Sequence, residues 1–284
     1  MRQLVNFKPL WWRELRCIGD GASLLRTCGL SNFDDFMDLA GGEHVCHKRG
    51  RSVYRFNKGG RTFYLKRNRL HLAEFLKGLL RLRLPPRSAL KEWENIQAVS
   101  AAGIPTVTPV IMGEELVCGL EKASFTLTEA LYDAEPLEEV FRREFGGGLS
   151  PLLRRQKRTL VRRVAEIVRR LHDRGMYHQD LYLGHFYLGS DATLYLIDLQ
   201  RVGRRGKIPQ RYLIKDLAQL AYSGQVTSGV SRTDQMRFFH AYAQVERLGQ
   251  AEKAVLRRVL GRCRRIARHT VKLLHRRRRR GEVS

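Results

Sequence analysis

The sequence predicts an α+β chain in two parts, a small β-rich amino-terminal part and a larger helical carboxy-terminal one. Three observations carry this expectation. Between Ser52 and Lys66, apolar and polar residues alternate on both sides of Asn57-Lys58-Gly59-Gly60, the pattern of two strands joined by a short turn. From Leu152 to Arg174, the residues Leu153, Leu160, Val164, Ile167, Val168 and Leu171 form one apolar stripe opposite a face of arginines. With 284 residues and 43% hydrophobic content, the chain can bury the core of one large domain or of a two-lobed one.

Residues 1–42 offer little pattern, and Trp11-Trp12 reads more readily as core than as a membrane-interface pair. Two strands are expected at Ser52–Phe56 and Arg61–Lys66. In the second, Phe63 and Leu65 take one face and Lys66 the other. Residues 69–84 mix leucines with arginines at helical spacing, which suits a helix packed on its own domain better than one lying on a membrane. Ser88 follows Pro85-Pro86 as an expected N-cap for a helix reaching Ala101, with Trp93, Ile96 and Ser100 on one face and Glu92 near the first turn. Apolar runs at 107–112, 116–120 and 123–128 suit three further strands.

Gly146-Gly147-Gly148 and Pro151 then open the long helix, which Gly175 stops. Short strands are expected at Phe186–Leu188 and Leu194–Ile197, around a turn at Gly189-Ser190-Asp191. The last helix, Glu252 to His275, carries an apolar line that includes Leu256, Val259, Cys263, Val271 and Leu274, and it runs into Arg276–Arg280. Such an end is either a solvated tail on a packed helix or a cationic segment that an anionic leaflet attracts.

Lys and Arg outnumber Asp and Glu by 53 to 28, so the chain carries a formal charge of +25 and attracts polyanions. Nucleic acid, an anionic membrane face and a phosphorylated glycolipid all fit that charge. The five cysteines are scattered, with no C-x-x-C pair, which points to a reducing compartment and away from a disulfide framework or a zinc site. No stretch reaches the roughly 20 apolar residues that span a bilayer, and Arg13, Glu14 and Arg16 break any signal-peptide core. A cytoplasmic protein, soluble or attached peripherally to a membrane, is expected.

The stretch from Met176 to Val202 is the most informative. His178-Gln179-Asp180 is followed five residues later by His185 and eighteen residues later by Asp198, in Asp198-Leu199-Gln200-Arg201. This order resembles the catalytic core of protein kinases, where an H-R-D aspartate is the base and the aspartate of D-F-G holds Mg²⁺. The wording H-Q-D-x-Y-x-x-H followed by I-D-L-Q-R resembles the lipopolysaccharide core kinases, which phosphorylate heptose or Kdo sugars. Histidine at the place of the protein-kinase asparagine belongs to that family's pattern, while Gln200 stands where D-F-G has its glycine. The resemblance covers about residues 44–222.

That resemblance implies a two-lobed, protein-kinase-like fold. Its lobes would be residues 43–130 and 131–250, flanked by an extension at 1–42 and a basic helix and tail at 251–284. It implies ATP and Mg²⁺, with Asp180 as catalytic base and Lys66 on the nucleotide phosphates, braced by Glu92 in preference to Glu94. Asp198 and His185 would be at the metal, and His178 and Asp216 would support the catalytic loop. Asp216, in Lys215-Asp216-Leu217, also reads as an N-cap. Thr126 to Leu131 would link the lobes, and the loop at Lys48, Arg49 and Arg51 is too poor in glycine to assign a phosphate-binding residue. The acceptor would be the lipopolysaccharide core glycolipid, with an anionic membrane surface as a second partner. Nucleic acid is disfavoured because no recognition motif or interleaved aromatics accompany the arginines. A small-molecule or protein kinase of the same fold and a pseudokinase remain the alternatives, because fold does not fix substrate.

Overall fold

The computed structural model describes residues 11–48, 50–70 and 87–279. The expected helix at 69–84, the Arg49 position and the end of the arginine tail lie largely outside the described residues. The chain divides into two compact units, Met1–Ala98 with Val107–Leu131, and Val99–Thr106 with Tyr132–Ser284.

The first unit is built on a six-stranded antiparallel sheet: β1 (Trp11–Cys17), β2 (Glu43–Lys48), β3 (Arg51–Lys58), β4 (Arg61–Arg69), β5 (Pro109–Val117) and β6 (Leu120–Glu129), in the order β1-β5-β6-β4-β3-β2. Strands β3 and β4 meet as expected, with Phe56 opposite Phe63 and Tyr54 opposite Leu65. The three apolar runs at 107–128 are instead two strands. Cys118 (φ 50°) and Gly119 (φ 77°) turn the chain inside the second run. Two successive left-handed residues are what a two-residue hairpin turn requires.

The two faces of this sheet differ. On one, Phe56, Phe63, Leu65, Phe125 and Leu127 pack against Leu25 of α1 (Gly21–Thr27) and Phe33, Phe36 and Met37 of α2 (Phe33–Met37). Phe36 and Phe125 stack at 4.7 Å between ring centroids. Residues 11–42 are therefore not an extension. Strand β1 extends the sheet along β5, and the two short helices cover one of its faces. Their brevity hid them, because a helix of five or seven residues shows too few turns for periodicity to register. Trp11 is neither core nor a free interface residue; it is half exposed and donates from Nε1 to Glu115 at 2.8 Å.

On the opposite face, α3 (Ser88–Ala101) sets Ala89 and Trp93 against Met112 of β5. Glu92, Ile96 and Val99 are also buried, while Ser100 is exposed, so the helix face differs from the expected one. Ser88 is the first helical residue rather than the cap. Its backbone N–H donates to the carboxylate of Glu121 on β6, which also accepts from the Ser124 hydroxyl. Burial pushes the Glu121 carboxyl up, against those hydrogen bonds. Glu92 consequently sits in the second turn of α3, too far in for the helix-dipole role of a first-turn acid.

The second unit is mainly helical: α4 (Leu137–Phe145), α5 (Pro151–Asp173), α6 (Gln210–Val226), α7 (Arg232–Ala243) and α8 (Gln250–Arg279). Ser150 caps α5, with Pro151 at its first position, and Gly175 follows it at φ 72°, where a side chain would strike the Arg205 carbonyl. Lys157 of α5 pairs at 2.5 Å with Asp234 of α7, and both are buried. Three small antiparallel pairings carry the loops: β7 (Ala134–Pro136) on β9 (Phe186–Gly189), β9 on β10 (Leu194–Leu196), and β8 (Met176–Tyr177) on β11 (Gly203–Arg204). Val259 and Cys263 of α8 are buried, whereas Val271, Leu273 and Leu274 are exposed. The apolar line of the last helix thus packs in its first half only. Among the described residues, no helix is long and apolar enough to cross a membrane.

The place of α2 in the core is directly measurable. Phe36→Ala removes a ring that is 1% exposed, at an expected cost of about 3–5 kcal/mol. Denaturant unfolding of the whole chain should show that loss, and a change under 1 kcal/mol would mean residues 33–37 do not share the sheet's core.

Candidate active site

Two groups of polar side chains stand out, one in each unit. In the first, Lys66 leaves β4 on the face that carries α3, and its Nζ makes an ion pair with Glu92 Oε1. Glu92 is almost fully buried and Lys66 is about one-fifth exposed. Burying a carboxylate is costly unless a cation and hydrogen bonds meet it, so the pair fixes both side chains. Glu94, on the same helix, is not Lys66's partner in this ion pair.

In the second unit the stretch after β8 folds around one buried carboxylate. Asp216 lies inside α6 with no exposed surface, so it is not an N-cap. Its Oδ2 accepts the backbone N–H of His178 at 2.6 Å, and its Oδ1 accepts that of Gln179 at 2.7 Å. Gln179 adopts a left-handed backbone (φ 70°), which turns both N–H groups toward the same acid. Behind it, His172 of α5 approaches Asp216 Oδ2 through Nε2 at 3.4 Å, and its Nδ1 lies 2.8 Å from the Tyr242 hydroxyl. Burial pushes the Tyr242 phenol up to about 12. That phenol therefore stays protonated beside the ring.

His178 is fully buried and ties two segments together. Its Nε2 lies 3.1 Å from the Ile197 carbonyl, which can only accept, so the proton is on Nε2. Burial is the leading cause that pushes its pKa down, against the Ile197 hydrogen bond and the Asp216 charge. The next residue, Asp198, is the left-handed entry (φ 57°) to a 3₁₀ turn at Leu199–Arg201. Aspartate tolerates that conformation better than most side chains, yet it remains an uncommon one.

Asp180 and His185 complete the group. His185 Nδ1 lies 2.7 Å from the backbone carbonyl of Asp180, which places its proton there and leaves Nε2 toward Asp198 Oδ2 at 3.8 Å. The Asp180 carboxylate receives Arg201 Nη1 on Oδ2 at 2.7 Å and Gln219 Nε2 on Oδ1 at 3.4 Å. Of the expected residues, the structure thus brings together His178, Asp180, His185, Asp198 and Asp216 in one unit, and Lys66 with Glu92 in the other. Arg201, Gln219, His172 and Tyr242 were not expected. Only Arg201 left a trace, as the last letter of I-D-L-Q-R.

The donor set suits a hard divalent cation in one respect. Asp198 is a partly exposed carboxylate, and Mg²⁺ is commonly held by one or two carboxylates with water and substrate phosphates completing its shell. An imidazole nitrogen, His185 Nε2, stands beside it as a softer second donor. Among the described residues, no group of three or more metal-ligating side chains is present.

Comparison with known proteins gives a consistent result. Residues 43–242 match the lipopolysaccharide kinase (Kdo/WaaP) family. The lipopolysaccharide core heptose(I) kinase WaaP of Escherichia coli K12 is 34% identical over 200 residues, which are 68% of this chain and 74% of that protein. The enzyme of the same name from Pseudomonas aeruginosa is 35% identical over 201 residues, again 68% and 74%. Among solved structures, WaaP in complex with acyl carrier protein superposes with a TM-score of 0.66 at 28% identity, covering 90% of this chain and 98% of that one.

Two measurements test the buried acid and its histidine. Asp216→Ala strands two backbone N–H groups at about 1–3 kcal/mol each, so amide exchange in residues 176–182 should quicken well before global unfolding. Unchanged protection there would remove Asp216 from its bracing place. For His178, the folded pKa lies below the unfolded one, so the unfolded chain binds the extra proton. Stability should fall as pH drops below about 6.5, and His178→Gln should flatten that slope; an equal slope in both proteins would contradict a neutral buried His178.

Proposed function

The chain belongs to the lipopolysaccharide kinase (Kdo/WaaP) family, and from that premise we propose that it transfers the γ-phosphate of ATP to a sugar hydroxyl of the lipopolysaccharide inner core, with a heptose as acceptor. The observation that carries this reading is that the family match, residues 43–242, spans all seven expected residues of the two polar groups. The fold is the mixed α+β arrangement of the WaaP relative.

A sugar hydroxyl is a weak nucleophile, and the triphosphate repels anything negative that approaches it. Asp180 orients the hydroxyl and takes its proton. Arg201 on one oxygen and Gln219 near the other leave lone pairs on both for the incoming O–H. Lys66, steadied by Glu92, holds the phosphates of ATP. Asp198, with His185 beside it, is the place for Mg²⁺, which when bound draws charge off the phosphates. His178 and Asp216 hold the loop so that Asp180 and Asp198 keep their spacing.

The relative's complex with acyl carrier protein extends to this chain as a proposed partner. A cavity of about 550 Å³ among α5, α6, α7 and α8, lined by Val164, Leu217, Leu220, Phe239 and Leu256, has the apolarity an acyl group needs. Peripheral attachment to an anionic leaflet is proposed for the outer end of α8, where Val271, Leu273 and Leu274 are exposed among basic residues.

Asp180→Ala should lower transfer to core oligosaccharide by roughly 10²–10⁴-fold with the fold intact, and Asp198→Ala should match it. Lys66→Met should chiefly impair use of ATP, and Glu92→Gln should do so less severely. Turnover near that of the unsubstituted protein in Asp180→Ala or Asp198→Ala would sink this assignment. Flotation with phosphatidylglycerol vesicles tests the membrane contact. Leu273→Asp/Leu274→Asp should bind less than the unsubstituted protein, and equal flotation would leave that end of α8 with no anchoring role.

A further inference from the structure

The second unit carries a cationic groove that the chemistry above does not use. It has a volume of about 1100 Å³ and lies between the first half of α6 and the middle of α8. Arg211 and Lys215 line it from α6, and Arg258, Arg262, Arg265 and Arg268 from α8, while no carboxylate among the described residues lines it. Some arginines elsewhere in this unit are matched by acids, as in Arg169–Asp173 and Arg143–Glu135. A concentration of positive charge without acids is self-repulsive, and bound anions relieve it.

Its position relates it to Asp180. Gln219, which approaches the Asp180 carboxylate, is four residues from Lys215, and Lys215 is four from Arg211. Residues at that spacing share one face of a helix, so a single stripe of α6 runs from Asp180 into the groove. The Lys215 ammonium is pushed down by burial and by Arg201, and up by the Asp180 charge, which places it within electrostatic reach of both. Gly261 lies in the groove wall within α8, where a Cβ would meet nothing within 4 Å. Glycine weakens a helix interior, and no packing constraint demands it here. A small residue at that position keeps the groove open.

We propose that this groove binds the carboxylate and phosphate groups that neighbour the reacting sugar, so that the acceptor glycolipid lies along α6 with its hydroxyl at Asp180. The proposal rests on the core-sugar kinase reading and names how that acceptor is recognised. Kdo is an acid sugar, and the glycolipid around it carries phosphates. Arginines in a row suit such groups through charge-assisted, often bidentate hydrogen bonds.

Steady-state kinetics on the full chain test it, with deacylated core oligosaccharide retaining its carboxylates and phosphates as acceptor. Arg262→Ala/Arg265→Ala removes charge from exposed positions, and Gly261→Leu fills the groove where a side chain meets no neighbour. Both should raise the acceptor KM by roughly tenfold or more, leaving kcat, the KM for ATP and acceptor-free ATP hydrolysis within about twofold. Chemical removal of the oligosaccharide phosphates should cost the unsubstituted protein more than either variant. An unchanged acceptor KM in both variants overturns the groove proposal while leaving the kinase reading intact. Unchanged acceptor KM with lost binding of acyl carrier protein also overturns it, and assigns the groove to that acidic partner. If the unsubstituted protein transfers no phosphate to the oligosaccharide, the kinase reading itself fails and the groove proposal falls with it.

Discussion

The second unit depends on one buried carboxylate. Asp216 has no exposed surface and spends its two oxygens on consecutive backbone N–H groups of the loop that carries Asp180. Leaving a buried carboxyl group without donors would cost several kcal/mol. The loop is therefore held as firmly as the acid needs its donors. From that anchor the remaining contacts follow in sequence. His178 reaches the Ile197 carbonyl, His185 reaches the Asp180 carbonyl, and Ile197 N–H returns to the His185 carbonyl at 2.9 Å. The loop and the strand end that presents Asp198 are thus one hydrogen-bonded object, and the two aspartates cannot drift independently.

The first unit uses buried acids in a related way. A chain of net charge +25 still buries Glu92, Glu114, Glu115 and Glu121. Each meets a specific donor: Lys66, Arg87, Trp11 with Lys122, and the α3 N-terminus with Ser124. Two of these contacts set α3 on the sheet. The Glu121 carboxylate takes the first N–H of the helix, and Arg87 just before it pairs with Glu114. That placement decides which α3 acid meets Lys66, since it turns Glu92 inward with Trp93 and Ile96.

What could be read from the sequence divides along physical lines. The strands β3 and β4, the long helix α5 and its glycine stop announced themselves through period and punctuation, which are local. The pairing of Lys66 with Glu92 was legible because a strand lysine and a helix glutamate in that order suggested it. His178, Asp180, His185 and Asp198 were legible from their spacing. Arg201 and Gln219 were not, because both meet Asp180 only after the chain has turned through Asp198 and through α6. His172 and Tyr242 are a core histidine and tyrosine by any local criterion, and only tertiary packing brings His172 of α5 to Asp216 of α6 and to Tyr242 of α7. The hairpin at Cys118-Gly119 was hidden by apolar residues on both sides, and α1 and α2 by their shortness. Both cases show tertiary burial deciding what periodicity alone leaves open.

The proposed transfer of phosphate from ATP to an inner-core sugar can be tested most directly by reacting the purified chain with γ-³²P-labelled ATP, Mg²⁺ and core oligosaccharide, and locating the new phosphate by mass spectrometry and NMR. The account predicts a single phosphate ester on a heptose hydroxyl. Phosphate appearing only on protein or on an unrelated acceptor, with the oligosaccharide unmodified, would contradict it.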